Sequence, residues 1–100
     1  MIALKQVSHK VETISAQEGT TVTWNYVPGT TVLIVTNPGL PVQTNVQIQG
    51  GRAGSMLVVR VEGSSSLGIT LQGISVPVAI AGGGSRLLYH DGTQWHPYSS

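Results

Sequence analysis

Apolar and polar residues alternate along most of this chain with a period of two. The clearest stretch is VQTNVQI, in which Val42, Thr44, Val46 and Ile48 fall on one side and Gln43, Asn45 and Gln47 on the other. Successive side chains of a strand point to opposite faces, so this pattern marks a half-buried strand. Comparable runs are KVETI, TTVTWNY, TTVLIVT, MLVVRVE, ITLQG, VPVAIA, RLLYH and TQWHPY. Val, Ile and Thr dominate them, and these side chains fit a pleated surface. The segments between them, among them VPG, NPGLP, QGGRAGS, GSSSLG, GGGS and DG, carry the Gly, Pro, Asp and Ser that punctuate strands. Helical spacing of apolar residues is nowhere sustained.

Turns at intervals of roughly 8–12 residues predict an all-β fold: a small antiparallel β-sandwich or jelly-roll-like barrel of about eight to nine short strands, ending in a C-terminal β-hairpin. The alternation assigns Leu33, Val35, Val46, Ile48, Leu57, Val59, Val61, Ile69, Leu71, Val78, Ile80 and Leu88 to the core. Pro77 cannot donate to a ladder, which places VPVAI at a sheet edge or makes the strand begin there. GTTVTW at Gly19 and GTTVLI at Gly29 are alike. Two copies suggest a meander of similar strands; a solenoid needs three or more repeats. Residues 1–12 form an N-terminal arm and first strand, and residues 13–100 a single β-domain.

Composition narrows the chemistry. Charged residues make up 9% of the chain and the net charge is +1, against roughly 25% charged in an average domain. No basic footprint for nucleic acid or for an anionic membrane exists. Thr, Ser, Gln and Asn supply the polarity. Cysteine is absent, which excludes disulfides, thiolate catalysis and Cys-ligated zinc. The N-terminus is interrupted by charge before an apolar stretch forms, unlike a signal peptide. ISVPVAIA, the most apolar run, is too short to span a bilayer as a helix.

The C-terminal LLYHDGTQWHPYSS gathers His90, Asp91 and His96, residue types that ligate metals or exchange protons. Asp91-Gly92 is also a hairpin signal, and a two-residue type I′ turn there pairs His90 with Thr93, Tyr89 with Gln94, Leu88 with Trp95 and Leu87 with His96. In that register the two histidines point to opposite faces and share no metal. Asp91 then serves backbone geometry, and Leu88 with Trp95 forms a packing pair. His9 has nothing to place it nearby. Glu12, Glu18 and Glu62 are isolated; GSSSLG lacks the nucleophile-elbow pattern, and GGGS lacks the Lys-Ser/Thr of a phosphate loop. Arg52 in GGRAG could meet an anion, but the composition is that of an ordinary loop. The residues therefore predict no catalytic, metal or cofactor site.

Residues 45–100 resemble the style of bacteriophage virion proteins, whose Gly/Ser/Thr-rich strands close on endings of the type LlYdGt-W. The matching stretches are VQIQGGRAGSMLVVRVEGSSSLGITLQG and GGGSRLLYHDGTQWHPYSS. Related endings occur in tail fibres, tail spikes and small capsid-associated proteins. A chain of 100 residues starting at Met1 leaves no room for a fibre stem. The resemblance therefore implies a capsid decoration (cement) or short head-fibre protein, made in the host cytoplasm and placed on the virion surface. It implies a homotrimer with the major capsid protein as partner. The alternative it leaves is a fibre module that recognises host glycans. The residues assigned to contact with a partner or a second copy are Ile2 and Leu4 in the arm, Arg52, and the aromatics Trp24, Tyr26, Trp95 and Tyr98. Aromatic residues are enriched at such interfaces, although for the two tryptophans core packing is the weightier alternative.

Overall fold

The computed structural model describes residues 10–17, 20–37, 44–63 and 68–98. Ile2, Leu4 and the rest of the arm before Lys10 lie outside them. Nine strands form: β1 (Lys10–Ser15), β2 (Thr21–Asn25), β3 (Thr30–Thr36), β4 (Thr44–Gln49), β5 (Met56–Glu62), β6 (Ile69–Gln72), β7 (Val78–Ile80), β8 (Ser85–His90) and β9 (Trp95–Pro97). They build two packed sheets, one of five strands in the order β1-β3-β5-β8-β9 and one of four in the order β2-β4-β6-β7. The all-β sandwich, the strand number and the terminal hairpin agree with the sequence pattern. β7 is an edge strand directly after Pro77, as the missing N–H requires.

Strand direction differs from the expectation. Among the described ladders, β1–β3, β3–β5, β2–β4 and β4–β6 are parallel, and only β5–β8, β6–β7 and β8–β9 are antiparallel. Consecutive strands from β1 to β6 therefore alternate between the sheets, and no barrel closes. The two GTTV segments are not a meander, because β2 and β3 belong to opposite sheets. Three coils, β1–β2, β3–β4 and β5–β6, stack like turns of a short solenoid, and the antiparallel β7, β8 and β9 finish the stack. A two-period pattern cannot distinguish this from an antiparallel sandwich, since both bury alternate side chains.

The coils stack in register, and like sits on like. Leu33 lies beside Val59, and Ile14, Val35 and Val61 form a second row. In the other sheet Val22, Val46 and Leu71 align, as do Trp24 and Ile48. All twelve side chains assigned to the core are buried, joined by Ala16, Trp24, Ile74 and Trp95. Past the strand ends the ladders continue through the arches: Ala16 N donates to Thr36 O at 2.9 Å, Tyr26 N to Gln49 O at 2.8 Å, and Asn37 N to Glu62 O at 2.7 Å. Asn37, buried, also donates its side-chain amide to Gly68 O at 3.3 Å.

One inward position departs from this pattern. The Thr44 hydroxyl is buried with no hydrogen-bond partner among the described residues, and an unmatched buried hydroxyl costs roughly 1–3 kcal/mol. Thr44→Val is expected to leave stability equal or raise it by up to about 1 kcal/mol. Leu33→Ala is expected to lose about 2–5 kcal/mol. Urea melts of both variants against the parent check the pair.

Candidate functional site

The closing hairpin is built differently from a two-residue turn. His90 pairs with Trp95, Tyr89 with His96, and Leu88 with Pro97. The loop is the four residues Asp91–Gln94, closed by Asp91 N to Gln94 O at 3.1 Å. Among the described residues only glycines have positive φ, with Gly92 at 106°, so Asp91 cannot occupy the first corner of a type I′ turn. Its carboxylate instead caps the loop. Oδ1 accepts from Thr93 N at 2.7 Å and Gln94 N at 2.9 Å. Two satisfied amides outweigh the positive φ that a two-residue turn demands. The Leu88–Trp95 pair is thus replaced by His90–Trp95.

The histidines do face opposite ways. His90 is buried, and its Nδ1 accepts from Gly92 N at 3.0 Å. Its ring stands edge-on to Trp95, centroids 5.0 Å apart. His96 lies on the outer face, stacked on Tyr89 at 5.1 Å and 20°, with Nε2 2.5 Å from Asp91 Oδ2. Asp91 and His96 thus meet, which a turn-tip aspartate had not suggested. The N–H groups of Gln94 and Thr93, and then His96, hold the Asp91 carboxyl far below the usual carboxylate range. Among the described residues no nucleophile is bonded to the pair: Ser75 shares a groove with His96 but makes no hydrogen bond to it. Among the described residues no three His, Asp or Glu side chains gather as a metal site would need.

The tryptophans proposed as contacts are interior. Trp24 is 5% exposed and Trp95 1%, so neither indole has a face to offer a sugar or another chain. Trp24 meets Tyr26 edge-on at 5.9 Å, and Tyr26 meets Trp95 at 5.4 Å. Trp95 Nε1 donates to Gly50 O at 2.8 Å, and Tyr26, half-buried, bonds Ser55 through its hydroxyl at 3.2 Å. This cluster pins the Gly50–Ser55 loop to the hairpin. Arg52 in that loop is exposed, as is Tyr98 at 62%.

The two outer faces of the sandwich are chemically unlike. On the four-stranded sheet, Thr21, Asn45 and Thr70 form one row, Thr23, Gln47 and Gln72 the next, and Asn25 and Gln49 a third. These amides and hydroxyls suit water. On the five-stranded sheet, Val11, Val32, Val58 and Leu87 form a continuous row across four strands. Tyr98 N donates to Leu87 O at 2.8 Å, which carries the row to the end of β9. Met56, Tyr89 and His96 make a parallel row. Val11, Met56, Leu87 and Tyr98 are exposed. Of the assigned contact residues that are described, only Tyr98 belongs to this surface. The rest were legible in TTVLIVT and MLVVRVE, where Val32, Ile34 and Val58 make the second phase of the alternation apolar too. Strands apolar in both phases are characteristically covered on both faces.

No known protein family matches the sequence, and no curated protein matches it. Among solved structures, the StcE(132-251) fragment of enterohemorrhagic E. coli is similar, with a TM-score of 0.51 and 14% identity over 85% of this chain and 94% of that one. At that identity the likeness concerns the fold alone.

The hairpin geometry yields two expectations. Asp91→Ala should expose the Thr93 and Gln94 amides to faster hydrogen exchange, while Asp91→Asn, which keeps the acceptor oxygen, should protect them partly. Folding lowers this carboxyl's pKa. Its contribution is therefore complete above the ordinary carboxylate pKa of about 3.9 and fades as pH falls below that through the depressed value; exchange measured along an acid titration checks the sign. At Gly51, a Cβ would land on the His90 imidazole and come 2.9 Å from Trp95 Nε1. Gly51→Ala should cost about 1–3 kcal/mol and shift tryptophan fluorescence to the red, measured by melts with emission spectra.

Proposed function

We propose that this chain is a non-enzymatic bacteriophage virion protein, a capsid decoration protein that binds as a homotrimer and bridges subunits of the major capsid protein. The apolar row on the outer face of the five-stranded sheet carries this reading. A sandwich sheet with water on its outside alternates apolar and polar, as the four-stranded sheet does. The row from Val11 to Leu87 breaks that rule over four adjacent strands, and contiguous exposed apolar surface marks an interaction site. Its chemistry fits a flat, uncharged protein partner.

The sheet edges support the same conclusion. β1 and β2 lie at the same end of the sandwich, each with one side unpaired among the described residues. β2 carries no charge and β1 only Lys10 and Glu12, whereas exposed edges are usually guarded by charge or proline. Such edges suit strand addition by a neighbouring subunit. The resemblance of residues 45–100 to virion proteins points to a shell as the setting. A second reading, a fibre module that recognises host glycans, draws on the exposed Tyr98 phenol.

Electron cryo-microscopy of particles carrying this chain tests the proposal. The expected density is a trimer on the shell, with the outer face of the five-stranded sheet against the capsid protein. Density at a tail tip would overturn it. Leu87→Lys and Val11→Lys should each lower occupancy on the particle by about tenfold or more while leaving the melting temperature of the free protein within a few degrees.

A further inference from the structure

A groove of about 490 Å³ opens at the end of the molecule opposite β1 and β2, along the β7 and β9 edges. Its walls include Val76, Pro77, Arg86, Tyr89, His96 and Pro97. The volume is that of a small-ligand site, where apolar walls surround a few polar groups. Two features distinguish it from a gap between strands. The first is the aromatic wall. Tyr89 and His96 are stacked, and Tyr98, outside the lining, braces Tyr89 edge-on at 6.0 Å, 88° between planes. The hydroxyls of Tyr89 and Tyr98 bond no described residue. The second is Arg86. Its guanidinium, half-buried on β8, makes no hydrogen bond or ion pair with any described residue, whereas Arg60 is paired with Glu62. A guanidinium offers five donors in a planar fork matched to a carboxylate. Asp91, the carboxylate in contact with His96, does not line the groove.

We propose that this groove is a binding site for an acidic sugar, a pyranose bearing a carboxylate. The C–H groups on a pyranose face carry slight positive charge and suit the negative face of an aromatic ring. The free Tyr89 hydroxyl meets the ring hydroxyls, and Arg86 takes the carboxylate. The site does not depend on the position of the chain on a particle. Its Tyr89 and His96 wall adjoins the valine row on the same outer face, while Arg86 and the Val76–Pro77 segment lie at the edge beyond it.

NMR titration of the labelled protein with methyl glucuronide and, separately, methyl glucoside tests the assignment. The two probes share a ring and differ in the carboxylate. Expected are shifts confined to Tyr89, His96, Tyr98 and the Val76–Pro77 segment, with the acid bound about tenfold or more tightly than the neutral sugar. Arg86→Gln should bring the acid down to the level of the neutral sugar. Tyr98→Ala, at an exposed position that the fold does not need, should weaken both. Failure of both probes to shift these residues overturns the proposal, as does equal affinity for the two. A proline-rich peptide, tested as decaproline, would overturn it by binding the same residues more tightly than the acid. Self-association that Tyr98→Ala abolishes would instead assign the groove to a second copy. Trimer formation through β1 and β2 would be untouched by that variant, so the two proposals fail separately.

Discussion

A strand in the first two-thirds of this molecule is hydrogen-bonded to the strand one coil away, in parallel and in register, and the remaining architecture rests on that pairing. Side chains at equivalent positions must then stack directly on one another. Leu33 on Val59, Val35 on Val61, and Val46 on Leu71 satisfy the demand with apolar side chains of similar size. The core is thus a set of columns in which neighbours present similar shapes.

Stacking has a consequence at both ends. A parallel stack leaves an open edge on its first coil, here β1 and β2, and needs a termination at its last. β7, β8 and β9 supply the termination by reversing direction. The reversal brings the chain's aromatic residues together. Trp24 and Tyr26 come from the first coil, Trp95 and His90 from the hairpin, and they interlock around the Gly50–Ser55 loop. The outward residues of the same hairpin, Tyr89 and His96, are left to line the groove with Arg86. One strand pair thus provides both a plug for the core and a polar, aromatic wall facing solvent.

The two outer faces show how a chain with few charges can direct association. Amides and hydroxyls on the four-stranded sheet hydrogen-bond water without creating a long-range field. Valines on the five-stranded sheet leave a face that gains by leaving water, at roughly 25 cal/mol per Å² of apolar surface. The proposed docking on a shell and the proposed sugar groove therefore adjoin along Tyr89 and His96: the first uses the flat apolar row beside them, the second the concave edge with an unmatched cation.

Local alternation was enough to determine the all-β class, the positions of most strands and the twelve assigned core residues, because a strand's inward phase is a property of its own sequence. It also placed His90 and His96 on opposite faces, since that follows from their separation along one hairpin. Strand direction, sheet membership and register were decided only in three dimensions. Parallel and antiparallel sandwiches bury the same alternate residues, so the repeat of columns shows in the contacts and not in residue identities. The hairpin loop lengthened because the Asp91 carboxylate captures two amides, a bond that exists only once the chain has turned. Trp24 and Trp95 were drawn inside because both pack on Tyr26, beside the Gly50–Ser55 loop. Arg86 was left without a partner among the described residues because Glu62 is held by Arg60 and Asp91 by His96.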